Sequence, residues 1–203
     1  MLPEIRLKEV TKEDIPRLIK WLEDNDISSS WFGRYTYGDP IHLGYHPAEM
    51  LKASQEEWFN VFNDPNKRIF SIYSALDEHI GEAKILIDET LGNAEIPILI
   101  GRKDLWHQGY GTATVLVLLD LAFNNYGLHR IWVDIPEYNE AAINMFSNLG
   151  FVHEGILRKS HPHEGKRFDS SIMGMLASEY SKQIGAISKQ KMDMYLNTEH
   201  KKI

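Results

Sequence analysis

A glycine-rich turn joins an apolar strand pattern to a long helical pattern near the middle of this 203-residue chain. The apolar segment covers residues 96–100, the turn covers residues 106–113, and apolar residues at helical spacing continue over residues 112–124. Backbone N–H groups at the start of a helix are unpaired, and the helix dipole adds partial positive charge there. Glycine also lets the backbone approach phosphate oxygens closely. The sequence therefore predicts a site for a phosphate-bearing cofactor at this turn.

Strand and helix patterns alternate along the chain and predict a mixed α/β fold, with consecutive strands early and a β-α-β-α-β passage late. The strand patterns cover residues 5–10, 69–75, 80–87, 94–100, 130–135, 151–158 and 171–176. The helix patterns cover residues 11–24, 48–62, 112–124 and 139–148, and residues 28–47 form an aromatic loop pattern rich in glycine and proline. We find no internal repeat and no linker. We therefore expect one domain over residues 1–180 and a helical or frayed tail over residues 181–203.

The composition is that of an ordinary globular protein and argues against several classes of function. A net charge of −7 argues against general binding to nucleic acid or to anionic membranes. The chain has no cysteine, which excludes disulfides, thiolate zinc sites and a cysteine nucleophile, and which fits a reducing compartment. The sequence shows neither a signal-peptide pattern nor an apolar stretch of membrane-spanning length, so we expect a cytoplasmic protein.

Four stretches of the second half match the motifs of one enzyme family in the family's order. Residues 108–113, Gln-Gly-Tyr-Gly-Thr-Ala, are similar to a (Gln/Arg)-x-x-Gly-x-(Gly/Ala) pyrophosphate loop, and residues 127–131 resemble the entry to the next strand. Residues 139–151 resemble an Asn-x-x-(Ala/Ser)…Gly-Phe helix, and Glu154-Gly155 followed by Asp169 matches the distal strands. The chain thus resembles the GNAT superfamily of acetyl-CoA-dependent N-acetyltransferases, most closely its ribosomal-protein and spermidine acetyltransferase branch.

This resemblance implies the GNAT fold, a mostly antiparallel central sheet that is splayed at the cofactor site and flanked by helices. Acetyl-CoA would be the co-substrate, with its pyrophosphate on the turn and its pantetheine arm beside the strand before the turn. Pro97 cannot donate a ladder hydrogen bond, which favours an interruption of that strand. Ile98 would offer its N–H group to the thioester carbonyl. The expected cofactor-binding residues are Ile98, Ile100, Gln108, Gly109, Tyr110, Gly111, Thr112, Asn139 and Phe146.

An amine nucleophile must lose a proton, so the reaction needs a general base. Glu95 lies where several members of the family carry a catalytic glutamate, and an exposed charge on an edge strand is the alternative interpretation. Many members also carry a tyrosine close to the leaving thiolate, but this chain has Phe146 at that position, which cannot donate a proton. Tyr138 is our candidate for the general acid. Ser147, Tyr110 and solvent remain alternatives for the same role.

Acceptor selectivity should come from the first helices and the aromatic loop. Trp31, Tyr35 and Tyr37 are candidates to enclose a cationic amine with their ring faces, and Asp39 and Glu49 are candidates to supply charge. The alternative is that these aromatic residues close the core or form a dimer contact. Asn139 contacts the cofactor, caps its helix, or does both. Asp169 is either structural or near the acceptor, and His161 with His163 is too weak a pattern to predict a metal site.

We therefore expect an enzyme that moves an acetyl group from acetyl-CoA to a primary amine, which is a protein N-terminus, a polyamine or another small amine. Whether the protein forms a homodimer remains open. One alternative is a GNAT-fold module that binds acyl-CoA without turnover, because Phe146 replaces the tyrosine. The other is a dinucleotide-dependent oxidoreductase, in which Asp134 would contact a ribose. Thr114 at the third glycine position of the dinucleotide fingerprint argues against it.

Overall fold

The computed structural model of the chain describes residues 2–31 and 44–184. In this part of the chain, eight strands form one sheet in the order β1-β2-β3-β4-β6-β8-β7, and β5 pairs with β3. The strands are β1 (Ile5–Glu9), β2 (Lys67–Ser74), β3 (His79–Asp88), β4 (Asn93–Glu95), β5 (Ile98–Ile100), β6 (Arg130–Pro136), β7 (Val152–His163) and β8 (Lys166–Leu176). Only the β4–β6 pair is parallel among these pairs. The expected mixed, mostly antiparallel fold is confirmed.

Helices cover both faces of the sheet. They are α1 (Ile15–Glu23), α2 (Asn25–Trp31), α3 (Pro47–Met50), α4 (Gln55–Phe62), α5 (Tyr110–Asp120), α6 (Glu140–Asn148) and α7 (Ala177–Ile184), and a π-helical turn (Leu121–Asn125) follows α5. Side chains alternate between the two faces along a strand. Ile131, Val133 and Ile135 of β6 therefore join the larger apolar core with α5, whereas Leu99 of β5 joins a second core with α1.

The strand pattern over residues 94–100 is divided into β4 and β5 at Ile96 and Pro97, so the expected interruption is present. β4 runs parallel to β6, with Glu95 opposite Trp132, and the last bond of this pair is donated by the Ile96 N–H group to the Trp132 carbonyl. Beyond it, β5 pairs with β3 alone among the described strands. The sheet is therefore open between β5 and β6, which confirms the predicted splay.

Several boundaries differ from the sequence-based expectation. The first helix begins at Ile15, with Asp14 as its N-cap, rather than at residue 11. The helix pattern over residues 48–62 is two helices, α3 and α4, because Ser54 and Glu57 form a capping box that starts a new helix. The loop pattern over residues 28–47 begins with the end of α2 and ends at Pro47 of α3. The strand patterns near the end of the chain are longer than expected and form the β7–β8 hairpin. In the described part of the chain, no helix is both long and apolar enough to cross a membrane.

A network of hydrogen-bonded polar side chains connects the start of α1 to the sheet. The Asp14 carboxylate, directly before α1, accepts hydrogen bonds from the Ser71 hydroxyl at 2.8 Å and from the Tyr73 hydroxyl at 2.6 Å. It also accepts from the Thr11 N–H group at 3.0 Å and from the Arg17 guanidinium at 2.6 Å. Burial raises the pKa of Asp14, but the hydrogen bonds from Tyr73, Thr11 and Ser71 together with His79 outweigh it and lower the pKa to about 2.

Candidate functional site

A cleft of about 770 Å³ lies where β5 and β6 separate. Its walls come from β4 and β5, from the turn before α5, from the end of β6 and from α6. The turn and α6 were each assigned to the cofactor from sequence motifs, and the fold brings them to one opening. This size is typical of a ligand site. No ligand is present, so the residues themselves must indicate what the cleft holds.

One wall offers free backbone groups of β5. Lys84 donates its N–H group to the Pro97 carbonyl at 3.0 Å, and Gly101 donates to the Ile80 carbonyl at 2.8 Å. Because hydrogen-bonded pairs alternate along an antiparallel ladder, Ile98 and Ile100 direct their backbone groups away from β3 and toward the cleft. The Ile100 carbonyl accepts from the Trp106 indole at 2.8 Å. The geometry of Ile98 therefore fits an amide that pairs with a bound chain.

The turn before α5 has the geometry of an anion site. Gly109 is the N-cap of this 11-residue helix with a φ of 88°, a left-handed conformation that favours glycine, and no side chain caps the helix. The N–H groups of Tyr110, Gly111 and Thr112 form its first turn and so have no partner within the helix. At the N-terminus of α5, the Ala113 N–H group donates a backbone hydrogen bond to the Gly109 carbonyl at 2.9 Å.

Close packing explains the second glycine of the turn. A Cβ atom on Gly111 would lie 3.1 Å from the Met145 sulfur of α6 and 3.7 Å from Ile98 of β5. A side chain here would therefore press into the cleft and against its walls. The side chains of Gln108 and Tyr110 do not line the cleft: Gln108 is exposed and donates to the Asp104 carbonyl, and Tyr110 packs against the larger core.

The opposite wall is α6. Asn139 is its N-cap and accepts from the Ala142 N–H group at 3.1 Å, which confirms the capping interpretation, and it also lines the cleft. Phe146 lines the cleft as well and packs edge-on against Phe151, with 4.9 Å between the ring centroids. Its ring adds apolar surface to the lining of the cleft.

Glu95 lies in the cleft wall at the end of β4. Burial of the carboxylate and the nearby negative charge of Asp134 raise its pKa to about 7, and the ammonium group of Lys84 opposes this rise. A carboxylate with such a pKa is ionised in half of the molecules near neutral pH and accepts a proton with a useful driving force. The alternative of an exposed edge-strand charge does not fit this position.

Sequence reasoning missed two residues beside Glu95. Lys84 is 1% exposed and lies 3.3 Å from Glu82, whose Oε2 accepts from the buried Tyr45 hydroxyl. Burial lowers the pKa of Lys84 to about 8 against the attraction of Glu82. Asp134 was considered only as a ribose contact. Charged residues at inward positions of β3 and β6 were the available signal, since alternation alone cannot show which face of a strand is covered.

Tyr138 is not brought to the cleft wall. Its ring stacks on His163, with 4.7 Å between centroids, and meets Phe168 edge-on. Asp169 supports the same hairpin by accepting the Lys159 N–H group at 2.9 Å across a bulge of β7. After this bulge, His161 is buried beside Asp134. The expected acceptor residues Tyr35, Tyr37 and Asp39 and the side chain of Trp31 lie outside the described residues, and Glu49 is exposed on α3.

Comparison with known proteins agrees with this geometry. An uncharacterized N-acetyltransferase p20 of Bacillus licheniformis is 31% identical over 115 residues, which cover 56% of this chain and 64% of that protein. A spermidine N(1)-acetyltransferase of Vibrio cholerae is 28% identical over 184 residues, which cover 89% of this chain and 97% of that protein. The solved structure of spermidine N-acetyltransferase from Vibrio cholerae in complex with CoA and spermine has a TM-score of 0.73 at 24% identity, covering 88% of this chain and 98% of that one.

The family comparison bears most directly on the walls of the cleft. A family model described as an acetyltransferase (GNAT) domain matches residues 4–152, which include β4, β5, the glycine turn and the whole of α6. It leaves the dinucleotide-dependent oxidoreductase alternative without support. The match covers well over half of the sequence and contains every wall of the cleft. The chain therefore belongs to the GNAT acetyltransferase family.

Proposed function

We propose that this protein transfers the acetyl group of acetyl-CoA to a primary amine of a polyamine. The observation that carries the proposal is Glu95, a half-buried carboxylate whose pKa is raised to about 7 in the wall of a cleft with an anion site at one end. An N-acetyltransferase needs these two features together, one for the cofactor phosphates and one for the proton of the amine.

In this proposal the N–H groups of Tyr110, Gly111 and Thr112 bind the pyrophosphate of acetyl-CoA, assisted by the dipole of α5. The open edge of β5 binds the pantetheine arm, and the Ile98 N–H group donates to the thioester carbonyl oxygen. That donor is most valuable when negative charge develops on the oxygen, since it then stabilises the tetrahedral transition state. Asn139 and Phe146 border the same arm from α6.

Glu95 takes a proton from the acceptor ammonium group, and the freed amine attacks the thioester carbon. The carbon–sulfur bond then breaks, and CoA leaves as a thiolate. The pKa of a cysteine thiol is about 8.5, so a thiolate is a modest base that solvent protonates without a dedicated acid. Phe146 in place of a tyrosine is therefore compatible with turnover. Tyr138 as the general acid stays a prediction that its position beside His163 and Phe168 does not favour.

The choice of a polyamine acceptor rests on the relatives. The full-length similarity to a spermidine N(1)-acetyltransferase supports it, and so does the net charge of −7, which attracts polycations. A peptide N-terminus has no support among the relatives named above. An aminoglycoside N(6′)-acetyltransferase of Klebsiella pneumoniae is 26% identical over 154 residues, and so an aminoglycoside belongs in any acceptor panel.

The proposal is tested by release of CoA, followed with a thiol reagent, from acetyl-CoA and a panel of amines. The panel holds spermidine, spermine, an aminoglycoside and short peptides with free N-termini. The chain contains no cysteine, so it adds no thiol background. We expect release that depends on spermidine or spermine. Release with another class alone would reassign the acceptor, and binding of acetyl-CoA without release in any assay would favour the non-catalytic module.

We further propose that residues 1–180 are the catalytic domain and residues 181–203 a tail. α7 already crosses that boundary, because it ends at Ile184. A cytoplasmic location and a homodimer also stay predictions. The lack of cysteine supports the first of these, and gel filtration tests the second.

A further inference from the structure

Asp134 is a second carboxylate in the cleft, and its charge is poorly compensated by the described residues. Its side chain is 17% exposed and lines the cleft beside Glu95. The Oδ1 atom is buried without a hydrogen-bond partner in the described part of the chain, and Oδ2 lies 3.8 Å from the His161 ring, beyond hydrogen-bond distance. A buried carboxylate oxygen that accepts no hydrogen bond destabilises the protein. A ligand that donates a hydrogen bond to it would relieve this cost and so bind more tightly.

Strand pairing fixes the relation of this carboxylate to Glu95. Glu95 is opposite Trp132 in the parallel β4–β6 pair, and Asp134 follows Trp132 by two residues, so both carboxylates belong to the same face of the sheet. They are close enough for the charge of Asp134 to raise the pKa of Glu95. The cleft therefore holds two acidic groups around one space rather than two separate ones.

The neighbouring groups leave this pair negative. Lys84 faces Glu95 from β3 but is shared with Glu82, its ion-pair partner at 3.3 Å. His161 faces Asp134 from β7, and burial lowers its pKa, which favours the neutral ring. Two carboxylates near one shared ammonium group thus present a net negative charge to the cleft. A cation with N–H donors fits both this charge and the unfilled Oδ1 atom of Asp134.

We propose that Asp134 binds the ammonium form of the acceptor and holds its nitrogen beside Glu95, so that Asp134 selects for cationic amines while Glu95 removes the proton. This inference rests on the proposed function of the cleft. One N–H proton of the ammonium group passes to the Glu95 carboxylate, and the nitrogen keeps the electron pair with which it attacks. The Asp134 carboxylate takes no part in the proton transfer, since its part is to hold the nitrogen.

Binding of spermidine to the protein saturated with CoA, measured by calorimetry, tests this inference without requiring turnover. We expect Asp134→Asn to weaken spermidine binding about 10- to 100-fold, because it removes a charged hydrogen-bond acceptor. Asp134→Glu keeps the charge and should recover part of the affinity. Glu89→Gln removes one charge from an exposed turn outside the cleft and should bind spermidine like the wild type. CoA affinity and melting temperature confirm that each variant is folded.

The pH profile of CoA release gives a second readout that a merely structural role would not move. Loss of the Asp134 charge should shift the acid limb of kcat/KM to lower pH, since one cause of the raised pKa of Glu95 is removed. If wild-type protein binds spermidine through Asp134 but releases no CoA, the proposed function fails together with the role of Glu95, and the assignment of Asp134 as the binding site of the amine stands. Equal spermidine affinity in wild type and Asp134→Asn, or no spermidine binding by the wild type, would overturn the inference.

Discussion

Asp14 and Glu95 are both shielded from solvent on the face of the sheet that α1 covers, and their pKa values move in opposite directions. Asp14 is surrounded by donors from Thr11, Ser71, Tyr73 and Arg17, and its pKa falls to about 2. Glu95 instead has the Asp134 carboxylate nearby, and its pKa rises to about 7. Burial raises the pKa of both groups, so the difference comes from their neighbours.

This contrast separates a structural carboxylate from a chemically active one. A carboxylate whose lone pairs are filled by fixed donors stabilises the fold and stays ionised at every physiological pH. A carboxylate that is buried beside another negative charge is held in an unfavourable state, which a substrate can relieve by bringing a cation and a proton. The comparison predicts that substitution of Asp14 affects stability and that substitution of Glu95 affects turnover.

The largest expected effect is that of Glu95→Gln on turnover. The amide cannot accept the proton of the acceptor, so we expect kcat/KM to fall by roughly 10²- to 10⁴-fold in the CoA-release assay. In the wild type, kcat/KM should rise with pH until about pH 7 and then level off, because only ionised Glu95 acts as a base. The variant should lack this rise of kcat/KM with pH, and its acetyl-CoA affinity should equal that of the wild type.

The same variant should not melt at a lower temperature than the wild type. Glu95 is an ionised group in an unfavourable setting above pH 7, and its replacement by a neutral side chain removes that penalty. A variant that loses stability but keeps the pH–rate profile of the wild type would show that Glu95 is structural, and the contrast with Asp14 would be lost.

The sequence was sufficient for the parts of the site that are local in the chain. The turn around Gly109 and the interruption at Pro97 follow from what glycine and proline do to the backbone. The break of the expected long helix at Ser54 was also readable, because Ser54 and Glu57 carry the capping-box pattern. The environment of Glu95 was not readable, because Lys84 and Asp134 reach it only through the pairing of β3 and β6 with β4.

A smaller effect, confined to stability, is expected for Asp14→Asn. The amide loses the negative charge that Arg17 and the two hydroxyl groups require, and its NH₂ group opposes one of these donors. We expect a loss of about 3 kcal/mol in the free energy of unfolding, and a melting temperature lower by roughly 5–10 °C. The activity per folded molecule should not change. Asp26→Asn, at a carboxylate whose side chain is 72% exposed, is the control and should lose less than about 0.5 kcal/mol.

The smallest expected effect is the pH dependence of stability that His79 introduces into the Asp14 network. Arg17 donates to Nδ1 of the ring at 3.0 Å, so Nε2 carries the proton and donates to the Gly81 carbonyl at 2.9 Å. A ring held in this neutral form resists protonation, and burial as the largest cause lowers its pKa to about 4 from 6.5. Below pH 6.5 the His79 ring therefore binds more protons in the unfolded chain than in the folded one, and the stability that this residue contributes falls as the pH falls toward 4.

This dependence can be measured by urea unfolding at pH 5, 6 and 7 on the wild type, His79→Gln and Glu95→Gln. One proton taken up only by the unfolded chain lowers the free energy of unfolding by about 2 kcal/mol between pH 7 and pH 5. His79→Gln should lose this contribution, so that its free energy of unfolding rises from pH 7 to pH 5 relative to the wild type. Glu95 acts in the opposite sense, because its raised pKa makes the folded chain bind more protons between pH 4.5 and 7, so that stability falls as the pH rises. The two contributions are similar in size and nearly cancel in the wild type, so Glu95→Gln should reveal the decline toward acid that His79 causes. Parallel curves for all three proteins would mean that neither ring nor carboxylate is held as the structure shows, and the contrast between the two clusters would have no thermodynamic basis.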